Sequence, residues 1–128
     1  MAQQPPTKKR ILVVDDDEAI RTMVGKALQA KGYDVMLAKD GLEASEMLGK
    51  KPDLLICDVM MPNFDGFTLA KLVKAHAELR AMPIIFLTAK AQPKDVATGI
   101  SLGARHYLTK PFSIKDLLDK VDKTVQPA

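Results

Sequence analysis

The chain has one cysteine, two histidines, and no apolar stretch long enough to cross a bilayer. A single thiol excludes any disulfide within the chain, so a reduced compartment is expected. That thiol, Cys57, lies inside an apolar run and reads as buried and inert. His76 and His106 are too isolated in the sequence to suggest a metal site. The N-terminal MAQQPPTKKR lacks the apolar core of a secretory signal, so the protein is expected to be soluble and cytoplasmic, without a membrane partner. No sign of charge dominates: 19 Lys and Arg face 16 Asp and Glu, a net charge of +3, and the basic residues are scattered. The short run Lys8, Lys9, Arg10 reads as a solvated flank, and direct contact with nucleic acid is not expected.

What the chain does have is 128 residues, 47% of them apolar, enough for one ordinary core. Residues 1–9 are polar with Pro5 and Pro6 and read as a disordered lead-in, and residues 126–128 as a fraying tail. Between them, over 10–125, strand and helix signals alternate. Residues 10–14 are a short β-branched run, followed by a helical face of Ile20, Met23, Val24, Ala27 and Leu28 that Gly32 stops. A second strand spans 33–38; Asp40 and Gly41 open a short helix broken by Pro52. The run 53–57 is apolar after its first residue, as in a strand covered on both faces. A helix with Leu69, Leu72 and Val73 precedes the fourth strand, 84–87. Pro93 starts a helix whose apolar face, Val96 and Ile100, is thin. The fifth strand spans about 105–109, and Ser113 with Asp116 predicts a capping box before the stripe Ile114, Leu117, Leu118, Val121 and Val125. Five βα units in succession predict an α/β fold with a parallel sheet and right-handed crossovers.

Four of the five strand segments end in a residue suited to phosphoryl chemistry: Asp15 and Asp16, Asp58, Thr88, and Lys110. In such a sheet the ligand crevice lies beyond the carboxyl ends of the strands, so these side chains should converge. Each has a purely structural explanation when taken alone: a helix cap for Asp16 or Asp17, a turn for Asp58, a strand-end hydroxyl for Thr88, a surface cation for Lys110. Their common placement at one end of one sheet favours chemistry.

Clustered carboxylates repel unless a cation sits among them, and Mg²⁺, a hard ion that prefers oxygen, suits the set. An aspartate there can attack phosphorus and form an acyl phosphate, with Lys110 neutralising the transferring group and Thr88 donating its hydroxyl to it. An alternative is a haloacid-dehalogenase-type phosphatase with Asp15 as nucleophile and Asp17 as acid/base. That reading lacks a cap domain, and Asp116, Asp119 and Asp122, at helical spacing, do not supply its later acidic pair.

The segments VVDDDEAIR, LLICDVMMPNFDG, IIFLTAK and HYLTKPFS resemble the receiver domains of two-component response regulators over about 10–125. The resemblance implies a flavodoxin-like sheet of order 2-1-3-4-5 with five helices. It further implies a phosphoacceptor signalling domain that catalyses its own phosphorylation and dephosphorylation, not an enzyme with a separate substrate. Asp58 would accept a phosphoryl group from a sensor histidine kinase or a histidine phosphotransfer protein. Asp16, Asp58 and the backbone carbonyl of Met60 would bind Mg²⁺ directly, with Asp15 acting through water. Thr88 and Lys110 would contact the phosphoryl group, Tyr107 would turn inward as Thr88 moves, and the bond from Lys110 to Pro111 would be cis.

By the same resemblance, a downstream protein would read the fourth helix, fifth strand and fifth helix. Met60 and Lys90, two residues after the acceptor and two after the threonine, would flank the approach of water and tune the lifetime of the phosphoryl group. Receivers of the winged-helix class carry two acidic residues after Gly-Ala at the fifth strand and dimerise through them. Here Arg105 and His106 follow Gly103 and Ala104, which reverses the charge and predicts a monomer. The expected product is a stand-alone receiver or a fragment of a longer regulator.

Overall fold

The computed structural model describes residues 8–62 and 64–125, so most of the expected lead-in and all of the expected tail lie outside the described residues. Five strands alternate with five helices: β1 Arg10–Val14, α1 Glu18–Ala30, β2 Asp34–Ala38, α2 Gly41–Met47, β3 Leu54–Cys57, α3 Gly66–Ala75, β4 Ile84–Thr88, α4 Pro93–Ser101, β5 Ala104–Thr109 and α5 Ile114–Thr124. All strands pair in parallel, in the order β2-β1-β3-β4-β5. The doubly wound flavodoxin-like sheet read from the sequence is the one that forms.

Because strand side chains alternate, the sheet has two apolar faces, each with its own core. Ile11, Val13, Leu54, Ile56, Ile85 and Leu87 pack with Val24 and Leu28 of α1 and Leu117 and Val121 of α5. Leu12, Val14, Leu55, Cys57, Ile84 and Phe86 pack with Ala44 of α2 and Leu69, Ala70 and Val73 of α3. Every residue of β3 and β4 is buried, which explains their unbroken apolar runs.

Two helix faces differ from expectation. In α1 the buried residues are Val24, Gly25 and Leu28, whereas Met23 is 43% exposed. The helix lies against β2 through Gly25, where a Cβ would come within 3.1 Å of Leu37, and this rotates Met23 outward. In α4 the buried residues are Asp95 and Gly99, and Ile100 is 59% exposed. A Cβ at Gly99 would lie 2.8 Å from the Tyr107 ring, so α4 reaches the sheet through a bare backbone, without the expected aliphatic face. The capping box of α5 is half formed. Ser113 accepts from the Asp116 amide at 2.9 Å, but the Asp116 carboxylate pairs with Lys120 instead.

Register brings the strand ends together. Val14 is opposite Cys57, Cys57 opposite Phe86, and Phe86 opposite Tyr107. The next residues are tied by backbone bonds from the Asp58 amide to the Val14 carbonyl (3.0 Å) and from the Lys110 amide to the Thr88 carbonyl (2.9 Å). One irregularity decides which way Tyr107 faces. Ile84 pairs with Ala104 but Ile85 pairs with His106, so β5 carries an extra residue. An unbulged strand would place His106 beside Phe86 and turn Tyr107 to the α1 and α5 side.

Candidate phosphoacceptor site

Beyond the carboxyl ends of β1 and β3, one carboxylate oxygen from each of Asp15, Asp16 and Asp58 lies within 4.8 Å of the others. Asp15 and Asp58 are buried, at 2% and 5% exposure, and Asp16 is exposed. The Lys110 ammonium, from the end of β5, donates to Asp15 Oδ2 and Asp58 Oδ2, each at 2.8 Å. The Lys110–Pro111 peptide bond is cis.

Backbone donors fix the remaining oxygens. Asp15 Oδ1 accepts from the Asp17 amide and Asp58 Oδ1 from the Met60 amide, both at 2.9 Å. The Asp58 loop is closed from below by α3. Its N-cap, Asp65, accepts from the Thr68 amide at 2.8 Å, and at Gly66 a Cβ would run into the Asp58 carbonyl oxygen. Only glycine lets the helix approach that closely.

Two buried carboxylates share one ammonium, and Asp16 adds a third anion, so the cluster holds excess negative charge. Burial pushes the Asp15 carboxyl above the usual carboxylate range, against the pull of Lys110 and of the Asp17 amide. For Lys110, burial alone would lower the ammonium, but its bonds to Asp15 and Asp58 outweigh that and hold it above the ordinary lysine value. The lysine therefore stays cationic. The all-oxygen donor set, two buried carboxylates and one exposed, is of a kind that could hold a divalent hard cation. For Cys57, burial pushes the thiol well up, and its Sγ lies 3.1 Å from the Asp58 carbonyl oxygen, as an inert thiol should.

Thr88 and Lys90 come next along the rim. Thr88 is fully buried, and its Oγ1 accepts from the Lys90 amide at 3.2 Å. The Lys90 carbonyl accepts from the Tyr107 hydroxyl at 2.6 Å. The Tyr107 ring is half-buried, 5.8 Å from that of Phe86. Burial raises its hydroxyl, with the Asp95 and Asp58 carboxylates adding to the effect. Met60 is 55% exposed and, with Asp16 and Lys90, borders an open crevice beside the cluster.

Asp17, the second acid of the phosphatase alternative, is occupied elsewhere. Its carboxylate caps α1, accepting from Ala19 at 2.9 Å and Ile20 at 3.2 Å. Sequence reasoning missed Asp95, whose carboxylate is buried and paired with Lys90 at 3.4 Å. Its place in the first turn of a helix starting at Pro93 reads as an ordinary helix-start acid, and nothing local reveals its burial.

The sequence profile described as the response regulator receiver domain matches residues 11–122. The chain belongs to that family. Among curated proteins, the receiver is 46% identical over 117 residues to the transcriptional regulatory protein RprY of Bacteroides fragilis, covering 90% of this chain and 48% of RprY. It is 41% identical over 113 residues to the response regulator MprA of Mycobacterium leprae, covering 88% and 49%. The chain thus spans about half the length of these relatives. Among solved structures, the chemotaxis response regulator CheY4 of Vibrio cholerae superposes with a TM-score of 0.87 at 37% identity, covering 93% of this chain and 100% of that one. The non-phosphorylated HemR receiver domain of Leptospira biflexa gives 0.85 at 32%, covering 91% and 94%. Among the described residues, no helix is long and apolar enough to cross a membrane.

Proposed function

We propose that this receiver takes a phosphoryl group onto Asp58 from a phosphohistidine of a sensor kinase or histidine phosphotransfer protein, in a Mg²⁺-dependent reaction, and passes the signal to a protein that reads α4, β5 and α5. The observation that carries this reading is the Lys110 ammonium held 2.8 Å from both Asp15 and Asp58. It neutralises a buried nucleophile that would otherwise be repelled by its neighbour, and it is placed to accompany the incoming phosphoryl oxygens.

Asp16, Asp58 and the Met60 carbonyl would hold the metal, with Asp15 acting through water. Bound there, it supplies charge neutralisation for in-line transfer. The chain's own residues do the rest. Asp58 Oδ2 attacks phosphorus as the P–N bond to the donor's imidazole breaks and the imidazole leaves with that electron pair. Oδ1 stays anchored on the Met60 amide, which keeps the carboxylate from rotating. The phosphoryl group adds nearly two negative charges and new acceptor oxygens, which favours the conformer with the Thr88 hydroxyl drawn to it. That movement removes the Thr88 acceptor from the Lys90 amide, and the strain reaches Tyr107 through the Lys90 carbonyl. With Arg105 and His106 in place of an acidic pair, the activated receiver stays monomeric.

The test is labelling by acetyl phosphate or a phosphorylated kinase. Native protein should label only with Mg²⁺, and Asp58→Asn not at all. Labelling that survives in Asp58→Asn and vanishes in Asp15→Asn would establish the phosphatase reading instead.

A further inference from the structure

Among the described residues, the buried charged side chains are Asp15, Asp58 and Asp95. Asp15 and Asp58 belong to the carboxylate cluster and Asp95 does not. A buried carboxylate needs a partner, and for Asp95 it is the Lys90 ammonium, at a long 3.4 Å from Oδ1. The Lys90 side chain is 42% exposed, so the pair is weak on the lysine side and confined on the aspartate side. Asp95 lies in the first turn of α4, where Gln92, the N-cap, makes no side-chain cap bond. Lys90 borders two neighbouring hollows. One is the crevice with Asp16 and Met60; the other is lined by Met60 and Asp95. Lys90 thus lines both the crevice that holds Asp16 and the hollow that holds Asp95 and Lys94, while its amide and carbonyl are bonded to Thr88 and Tyr107.

We propose that Asp95 is a positioning residue that holds the Lys90 ammonium back from the phosphoacceptor crevice, and that phosphorylation of Asp58 draws Lys90 off Asp95 and loosens the start of α4. This rests on Asp58 being the phosphoacceptor. A phosphoryl group offers nearly two charges and three acceptor oxygens, against one carboxylate at a stretched distance, so the exchange runs toward the phosphoryl group. Once deserted, Asp95 is a buried anion without its cation. The first turn of α4 opens to hydrate it. Coupling is reciprocal: the free energy by which the closed Lys90–Asp95 pair weakens binding at the phosphoacceptor equals the free energy by which the phosphoryl group weakens that pair. The ammonium thus delivers the signal to α4 through the Lys90 side chain, alongside the path from Thr88 to Tyr107 that runs through the backbone of the same residue.

Beryllofluoride, an acyl-phosphate mimic, tests this when titrated with Mg²⁺ into four proteins: native, Asp95→Asn, Lys90→Met and the double variant. Asp95→Asn should tighten binding roughly five- to tenfold in the native background and leave it unchanged in the Lys90→Met background. No tightening, or equal tightening in both backgrounds, overturns the proposal, since a purely structural role for Asp95 would not depend on Lys90. Should Asp95→Asn fail to fold, amide exchange decides. Protection over residues 95–98 should fall when native protein is loaded and should already be low in Lys90→Met; unchanged protection in loaded native protein overturns the idea. Native protein that binds no beryllofluoride at all defeats the phosphoacceptor reading itself, an outcome distinct from binding that ignores Asp95.

Discussion

The Tyr107 hydroxyl donates a 2.6 Å hydrogen bond to the Lys90 carbonyl oxygen, joining the edge strand to the loop that follows Thr88. This bond and the contact with Phe86 hold the ring half-buried beneath α4. Tyr107→Phe keeps the ring and leaves a carbonyl that water can reach, so it should cost about 1 kcal/mol in urea unfolding. A variant as stable as the native protein would show that the bond contributes nothing.

Removing Lys110 should cost more. Lys110→Met leaves Asp15 and Asp58 buried side by side without their shared cation, and about 3 kcal/mol of stability should be lost at neutral pH. Adding Asp58→Asn to that variant takes away one of the two like charges and should restore part of the loss. Two losses that simply add would contradict this account of the cluster.

Gly99 predicts a conflict between helix propensity and packing. Alanine favours a helix interior by roughly 0.5–1 kcal/mol, yet its Cβ would meet the Tyr107 ring at 2.8 Å and Phe86 at 3.2 Å. Gly99→Ala should therefore be less stable than the native protein despite its better propensity, and Tyr107 fluorescence should change as the ring is displaced. A more stable variant with an unmoved ring would refute the prediction.

His106 predicts a pH dependence. Burial lowers its imidazole below the ordinary value of 6.5, and the cations of Lys120, Lys123 and Arg105 lower it further against the opposing Asp116. The unfolded chain then binds a proton more readily than the folded one, so stability rises with pH through the window just below 6.5 and is lost as pH falls through it. Urea midpoints from about pH 5 to pH 8 should show this slope in the native protein and a shallower one in His106→Gln.

Lifetime is the remaining expectation. Met60 and Lys90 border the crevice, and neither is a carboxamide or carboxylate able to orient water. A tenfold longer lifetime needs only ~1.4 kcal/mol of barrier. Phosphorylated Asp58 should persist for minutes or longer, and Met60→Asn with Lys90→Glu should shorten that time. Native decay within seconds, or a variant no faster, would count against these two residues.

The alternation of βα units and the functional ends of its strands are written locally, because apolar period and Gly or Pro punctuation do not depend on distant partners. So were the caps at Asp40 and Ser113, the covered strand β3, and the convergence of Asp15, Asp16, Asp58 and Lys110. Pairing decided the rest. The outward turn of Met23 depends on Gly25 meeting Leu37 of another strand, and the burial of Asp95 depends on Gly99 admitting α4 to the sheet. The extra residue in β5 leaves no mark in the order Ala104, Arg105, His106, Tyr107, yet it sets Tyr107 beside Phe86, because a shift of one residue exchanges the faces of a strand. The sequence by itself determined which groups stand at the strand ends. Only the tertiary structure decided that Lys90 is bonded to Thr88 through its amide, to Tyr107 through its carbonyl and to Asp95 through its ammonium, since those contacts follow from strand register and helix approach, which belong to pairs of elements and not to any one segment.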